Sequence, residues 1–328
     1  MVSAKLAEEF SRKISTPTYD EDKMFRRVEL STEESEHIAA EPYSYWKSVF
    51  RVFIKKPSAI IGLSVLVILL VGMLIIPLFT PEGWLDADVT LTRLNLPPSA
   101  EHWFGTTNDG VDLFFACWAG LRKSLILALI STVINIVLGT LVGLAWGFFR
   151  KLDPILIEIY NLISNIPSLL LYMLLGMVFA IAFPGLSAEV KLVICLTLFG
   201  WIGVALFIRN FTLIITNREY NIASKTLGTP AFRIMLRNLL PFLSGLIITE
   251  ISLTIPGMIS SEVSMSYFGF GLPSTEISVG VLLDNGRKYF DQHPWQLLAP
   301  AFTLAAVIFT FYLLGLALSD ALDPKKHR

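Results

Sequence analysis

The chain has 328 residues, of which 54% are hydrophobic, with a formal net charge of -1 and a mean hydropathy of +0.63. An ordinary soluble domain is about 45 to 50% apolar with glycine counted, so the composition excludes one and describes an integral membrane protein. Charged residues collect in the first 56 positions, in loops and at the C-terminus, a segregation that gives no support to a nucleic-acid partner.

Residues 1–42 are polar, carry both signs of charge and show no sustained periodicity, which predicts a polar cytoplasmic tail. The opening residues lack the apolar region of a signal peptide. Trp46, Val49, Phe50, Phe53 and Ile54 then share one helical face, with Lys47, Arg51, Lys55 and Lys56 on the remainder. Residues 43–56 therefore read as an amphipathic helix lying on the inner membrane surface.

Crossing about 30 Å of hydrocarbon takes roughly 20 apolar residues as helix. Six segments qualify: Ala59 to Phe79, Leu125 to Phe149, Ile155 to Phe183, Leu192 to Thr216, Leu239 to Met265 and Leu297 to Leu318. The fold class is all-α, with a first span over 57–79, an extracytoplasmic segment over 80–122 and a core over 123–318. That core encloses a polar segment, 217–240, and an outer loop, 267–296, and a cytoplasmic tail follows over 319–328. In the third span Pro167 predicts a break at Ile166-Pro167.

Clusters of lysine and arginine recur at alternate ends of the spans. Arg51, Lys55 and Lys56 precede the first, Arg150 and Lys151 join the second to the third, Arg218, Lys225, Arg233 and Arg237 join the fourth to the fifth, and Lys325, Lys326 and Arg328 follow the last. The positive-inside rule then places both termini and the polar segment in the cytoplasm.

No phosphate loop of the Gly-x-x-x-x-Gly-Lys-Ser/Thr kind occurs. The histidines, among them His102, His293 and His327, form no metal-ligand spacing, and no nucleophile elbow is present. No catalytic or metal-binding residue is assigned, and no disulfide is expected of Cys117 and Cys195. Gly139, Gly143 and Gly147 recur every fourth residue, a packing stripe for a helix of the same or another subunit. Ionisable groups in spans must face protein or water. Glu158 and Arg209 read as snorkelling near the inner surface. Glu250 and Glu262, with Asn161 and Asn165, are candidates for a polar pathway, and the two glutamates read equally well as forming a buried structural pair with a partner subunit.

The polar segment REYNIASKTLGTPAFRIMLRNLLP, Arg218 to Pro241, punctuates two short helices. Glu219 to Leu227 forms the first, Gly228 is its left-handed cap, and Thr229 and Pro230 supply the next N-cap and first helical position. Its apolar residues Ile222, Leu227, Phe232, Ile234 and Met235 are too few to build a core, so the segment is either an ordinary loop or a surface that a partner covers.

This segment resembles the cytoplasmic coupling loop of bacterial ABC importer permeases, in which Glu-Ala-Ala, a glycine and a later Leu-Pro recur. Ala223, Gly228, Leu240 and Pro241 match, Ile222 and Ser224 depart, and Glu219 matches the peptide-permease version of the loop. His102, Gly105-Thr106, Gly110 and Asp112 resemble the entry to the permease domain, with Trp103, Thr107 and Val111 as departures. Arg122, Ser124, Pro167-Ser168, Glu262, the run Ser266 to Gly271, Pro294-Trp295 and the closing Asp320 to Pro324 extend the likeness over residues 41–328. The chain is similar to the second transmembrane subunit of dipeptide and oligopeptide importers of the Opp/Dpp/Ami type, the Ami-like permeases of Gram-positive bacteria in particular.

The resemblance implies a type I ABC importer permease in a bacterial cell membrane, forming half of a pathway for oligopeptides. It implies a homologous permease as heterodimer partner, two cytoplasmic ATPase subunits that carry ATP and Mg, an extracytoplasmic substrate-binding lipoprotein and surrounding membrane lipid. This chain itself then holds no cofactor and catalyses nothing. Glu219, Ala223, Gly228, Thr229, Pro230, Phe232 and Pro241 become the candidate ATPase-coupling residues. The rivals are a proton-coupled secondary transporter using Glu250 and Glu262, a structural membrane subunit that only recruits cytoplasmic proteins, and the same permease with an oligosaccharide or metal-chelate cargo.

Overall fold

The computed structural model describes residues 45–87 and 92–322. The tail predicted over 1–42, Tyr43, Ser44 and the closing positions 323–328 lie outside the described residues. Among the described residues the α-helices, in chain order, are α1 Tyr45–Ile54, α2 Pro57–Ile75, α3 Leu113–Phe148, α4 Asp153–Ser164, α5 Ser168–Ala182 and α6 Ala188–Leu198. They continue with α7 Trp201–Thr216, α8 Glu219–Thr226, α9 Ala231–Ile234, α10 Leu240–Tyr267, α11 Val279–Lys288 and α12 Trp295–Leu322. Among the described residues extended pairing is limited to one bridge, Thr106 with Asp112, so the fold is all-α.

Among the described residues five helical stretches are long and apolar enough to cross a membrane: Pro57–Phe79, Leu113–Phe148, Ala188–Thr216, Ala231–Tyr267 and Trp295–Leu322. A sixth crossing is the pair α4 and α5, bent by 85°. The bend falls at the predicted Ile166-Pro167, because the residue before a proline is forced out of the helical region. Pro57 opens α2 where a missing N–H costs nothing. Lys56 Nζ meets Asp320 Oδ2 at 2.6 Å, tying the start of α2 to the end of α12.

The central element is α3, which begins at Leu113 rather than Leu125, so the predicted extracytoplasmic segment 80–122 ends in helix. The Asp112 side chain caps it, accepting from Phe115 N–H at 3.1 Å. Leu113, Ala116, Cys117 and Leu121 are buried, so these first turns pack against protein rather than lipid. Arg122 and Lys123 follow without interrupting the helix, since their backbone bonds are already made.

The glycine stripe decides which helix lies against α3. A methyl group at Gly139 would stand 2.5 Å from Val204 Cβ, at Gly143 2.5 Å from the Ala205 carbonyl, and at Gly147 2.6 Å from Thr212 Cβ. All three neighbours belong to α7, so the stripe is a packing seam within this subunit.

Two further boundaries differ from the sequence reading. The outer loop 267–296 contains α11, whose N-cap Ser278 accepts from Val281 N–H at 3.2 Å. The predicted tail 319–328 begins inside α12, which runs to Leu322.

At the end of the bundle where α3 starts, residues 92–112 form a small cap. Buried His102 Nδ1 and Asp112 Oδ2 lie 2.7 Å apart, and Gln296 Nε2 donates to Asn95 Oδ1 at 2.8 Å and to the Thr106 carbonyl at 3.0 Å. Gly105 turns there with φ of 76°; a side chain at this position would run into the Leu96 carbonyl.

Candidate functional site

The opposite end carries the polar segment. Its first helix, α8, ends with Gly228 at φ of 78°. Gly228 N–H donates to the Lys225 carbonyl at 3.0 Å and Thr229 N–H to the Ser224 carbonyl at 3.1 Å. These are the two bonds of a Schellman cap, which satisfies carbonyls the helix leaves open. The next helix starts one residue later than the sequence reading placed it. Pro230, at ψ of 141°, is the N-cap and Ala231 the first helical residue. Thr229 is therefore a turn residue, because the position before a proline resists the helical conformation and the Pro230 carbonyl accepts the first helical bonds.

Beyond α9 the backbone forms a π turn over Met235–Leu239, with Leu240 N–H bonded to the Met235 carbonyl. The added residue rotates the apolar side chains of this stretch. Ile234 and Leu239 are buried and, with partly buried Met235, join a core with Ile208, Ile215 and Leu243. Ile234 and Met235 thus face the bundle and are not part of a surface open to a partner. Ile222, Leu227 and Phe232 remain outside, 49%, 84% and 69% exposed. Glu219 and Ala223 are exposed on α8, and Pro241 lies in the first turn of α10.

Two asparagines that the sequence reading passed over hold the segment together. Asn221 is fully buried; its Nδ2 donates to the Ile215 carbonyl at 2.8 Å. Its Oδ1 accepts from Asn238 Nδ2 at 3.0 Å. The end of α7, the helix α8 and the π turn are thereby cross-bonded. Nearby, Arg209 Nη2 and Nε donate to Asp153 Oδ1 at 2.5 and 3.0 Å, and Trp146 Nε1 donates to the same oxygen at 2.8 Å. Arg209 is thus an ion-paired link between α7 and α4, facing protein as an ionisable group in a span must.

The four pathway candidates are dispersed. Asn161 and Asn165 are exposed on α4 and at its end, on one face with exposed Glu158. Glu250 is partly buried on α10. Glu262 is fully buried; its Oε1 accepts from Ser266 Oγ at 3.1 Å, with Ser124 and Ser278 beside it. The two glutamates stand twelve residues apart on one helix, about 18 Å, and make no pair with each other. Among the described residues no group of acidic, histidine and cysteine side chains could hold a metal ion.

The segment is thus braced and keeps exposed apolar side chains between two spans. Residues 135–328 match the model of the binding-protein-dependent transport system inner membrane component. The chain belongs to this family. Residues 44–98 of the permease match a second model, the N-terminal TM domain of oligopeptide transport permease C. The permease is 37% identical to the oligopeptide transport system permease protein AmiD of Streptococcus pneumoniae, over 95% of this chain and 99% of that one. It is 35% identical to the dipeptide transport system permease protein DppC of Bacillus subtilis, over 94% of each, and 31% identical to OppC of the same organism, over 92% and 97%. It is a multi-pass membrane protein, the membrane permease subunit of an ABC importer.

Proposed function

We propose that this permease carries oligopeptides, pairs with a homologous permease to enclose the pathway, and docks ATPase subunits through residues 218–241. The observation that carries the coupling role is the exposed trio Ile222, Leu227 and Phe232 on two short helices that Asn221 and Asn238 fasten to the bundle. A surface that is apolar, exposed and internally braced suits a partner that pushes on it, because a packed element shifts as a unit. The names of the relatives supply the peptide cargo. ATP and Mg belong to the ATPase subunits, delivery to an extracytoplasmic binding lipoprotein, and both termini to the cytoplasm. In this reading the chain itself performs no catalysis.

Uptake of a labelled oligopeptide by the native cell, with and without this chain, tests the reading. Loss of uptake on deletion, recovery on complementation and abolition by ATP depletion are the expected results. Uptake that survives ATP depletion but collapses with the proton gradient would overturn it in favour of a secondary transporter.

A further inference from the structure

Next to the coupling segment lies a crevice of 620 Å³, lined by Phe148, Phe149, Arg150, Lys151 and Leu152 from the α3–α4 junction and by Leu213, Thr216, Asn217 and Lys225 from α7 and α8. We propose that this crevice binds an anionic phospholipid of the adjacent leaflet, with the phosphate held by Arg150, Lys151 and Lys225.

Three observations converge on that ligand. The lining holds three cations and no carboxylate, and among the described residues none of the three forms a salt bridge. Two of them are held at the rim by residues of the crevice itself: Lys225 Nζ sits 4.5 Å above the Phe148 ring, and Arg150 Nη2 donates to Asn217 Oδ1 at 3.4 Å. The floor is apolar. Phe149, 43% exposed, and Leu152, 36% exposed, offer surface to an acyl chain. A soluble phosphate would use the rim and leave the floor bare, whereas an anionic lipid matches both. Basic pockets between spans on the cytoplasmic side take lipid head groups in this way.

A lipid seated here bridges α3 to α8 through Lys225, and so stiffens the coupling segment. That consequence rests on the importer reading; the site itself rests on the crevice alone.

Lipid binding is read without transport or ATP, so its failure is distinguishable from failure of the importer reading. The full chain, purified in non-ionic detergent, is titrated with phosphatidylglycerol or phosphatidylcholine and bound lipid is counted by native mass spectrometry. Phosphatidylglycerol binds on the order of a hundredfold tighter, about tenfold or less for each cation. The triple variant Arg150→Gln, Lys151→Gln, Lys225→Gln loses that preference. The charge-keeping triple Arg150→Lys, Lys151→Arg, Lys225→Arg retains it, as does the α1 triple Lys47→Gln, Ser48→Gln, Arg51→Gln, which removes the two cations of that helix. Leu213→Trp, which fills the floor with the charges untouched, weakens binding. Equal binding of the two lipids, equal loss in the α1 triple, or full displacement by millimolar ATP or inorganic phosphate would overturn the proposal. So would crosslinking of Lys225 to an ATPase subunit in lipid-replete membranes, which would mark the crevice as a protein contact.

Discussion

Asn238 Nδ2 donates to Asn221 Oδ1 at 3.0 Å, and this bond joins α8 to the π turn across seventeen residues of chain. Asn221 also donates to the end of α7, so the segment moves with that helix. Asn221→Ala leaves the Ile215 carbonyl and the Asn238 amide without this partner. The Ile215 carbonyl keeps the Arg218 N–H, so the cost is that of the two lost hydrogen bonds, about 1 kcal/mol each. Amide exchange over residues 219–239 is expected to quicken in the variant while exchange in α3 stays unchanged. ATP hydrolysis by the assembled importer is expected to persist with reduced peptide uptake.

Gly228 separates backbone strain from crowding. Its φ is 78° and a methyl group there meets nothing within 4 Å, so Gly228→Ala costs only the left-handed conformation, about 1 to 2 kcal/mol. The same substitution at Gly143 keeps a helical backbone but drives a methyl into the Ala205 carbonyl. Overpacking of this kind costs typically about 1 to 3 kcal/mol. Thermal unfolding of the purified protein is expected to show a clear loss for Gly143→Ala. Gly203→Ala, with open space around it, is the neutral control.

The Arg209 and Asp153 pair is partly exposed, at 17% and 39% of the side chains. Solvent screening therefore limits its worth to about 1 kcal/mol. Its test is coupling: Arg209→Ala and Asp153→Ala together are expected to cost less than the sum of the two alone, as for residues in one network. Strict additivity in unfolding experiments would show that the bridge contributes nothing.

Much of this architecture was legible in the sequence because membrane spans announce themselves by composition. The break at Ile166-Pro167, the glycine seam and the Gly228 cap were legible too, since proline and glycine act on the backbone next to them. What was hidden depends on distance along the chain. Asp153 and Arg209 are 56 positions apart, and neither residue type signals the other. Asn221 and Asn238 sit in a stretch polar throughout, where a buried amide looks like any solvated one. The inward turn of Ile234 and Met235 rests on packing with Ile208 and Ile215 of α7, neighbours that local composition does not reveal. Leu113 as the start of α3 was masked by Arg122 and Lys123, charges that a composition window reads as loop.

Leu227 and Phe232 carry the central claim, because they are the large apolar groups left most exposed on the coupling segment. The direct measurement is co-purification from native membranes of the tagged parent and of Leu227→Asp, Phe232→Asp, with ATPase subunits identified by mass spectrometry. Neither substitution touches a buried group, so the variant is expected to fold and to keep its partner permease. The account predicts that the parent brings ATPase subunits with it and that the variant loses them. Retention of the ATPase subunits by a folded variant would contradict it.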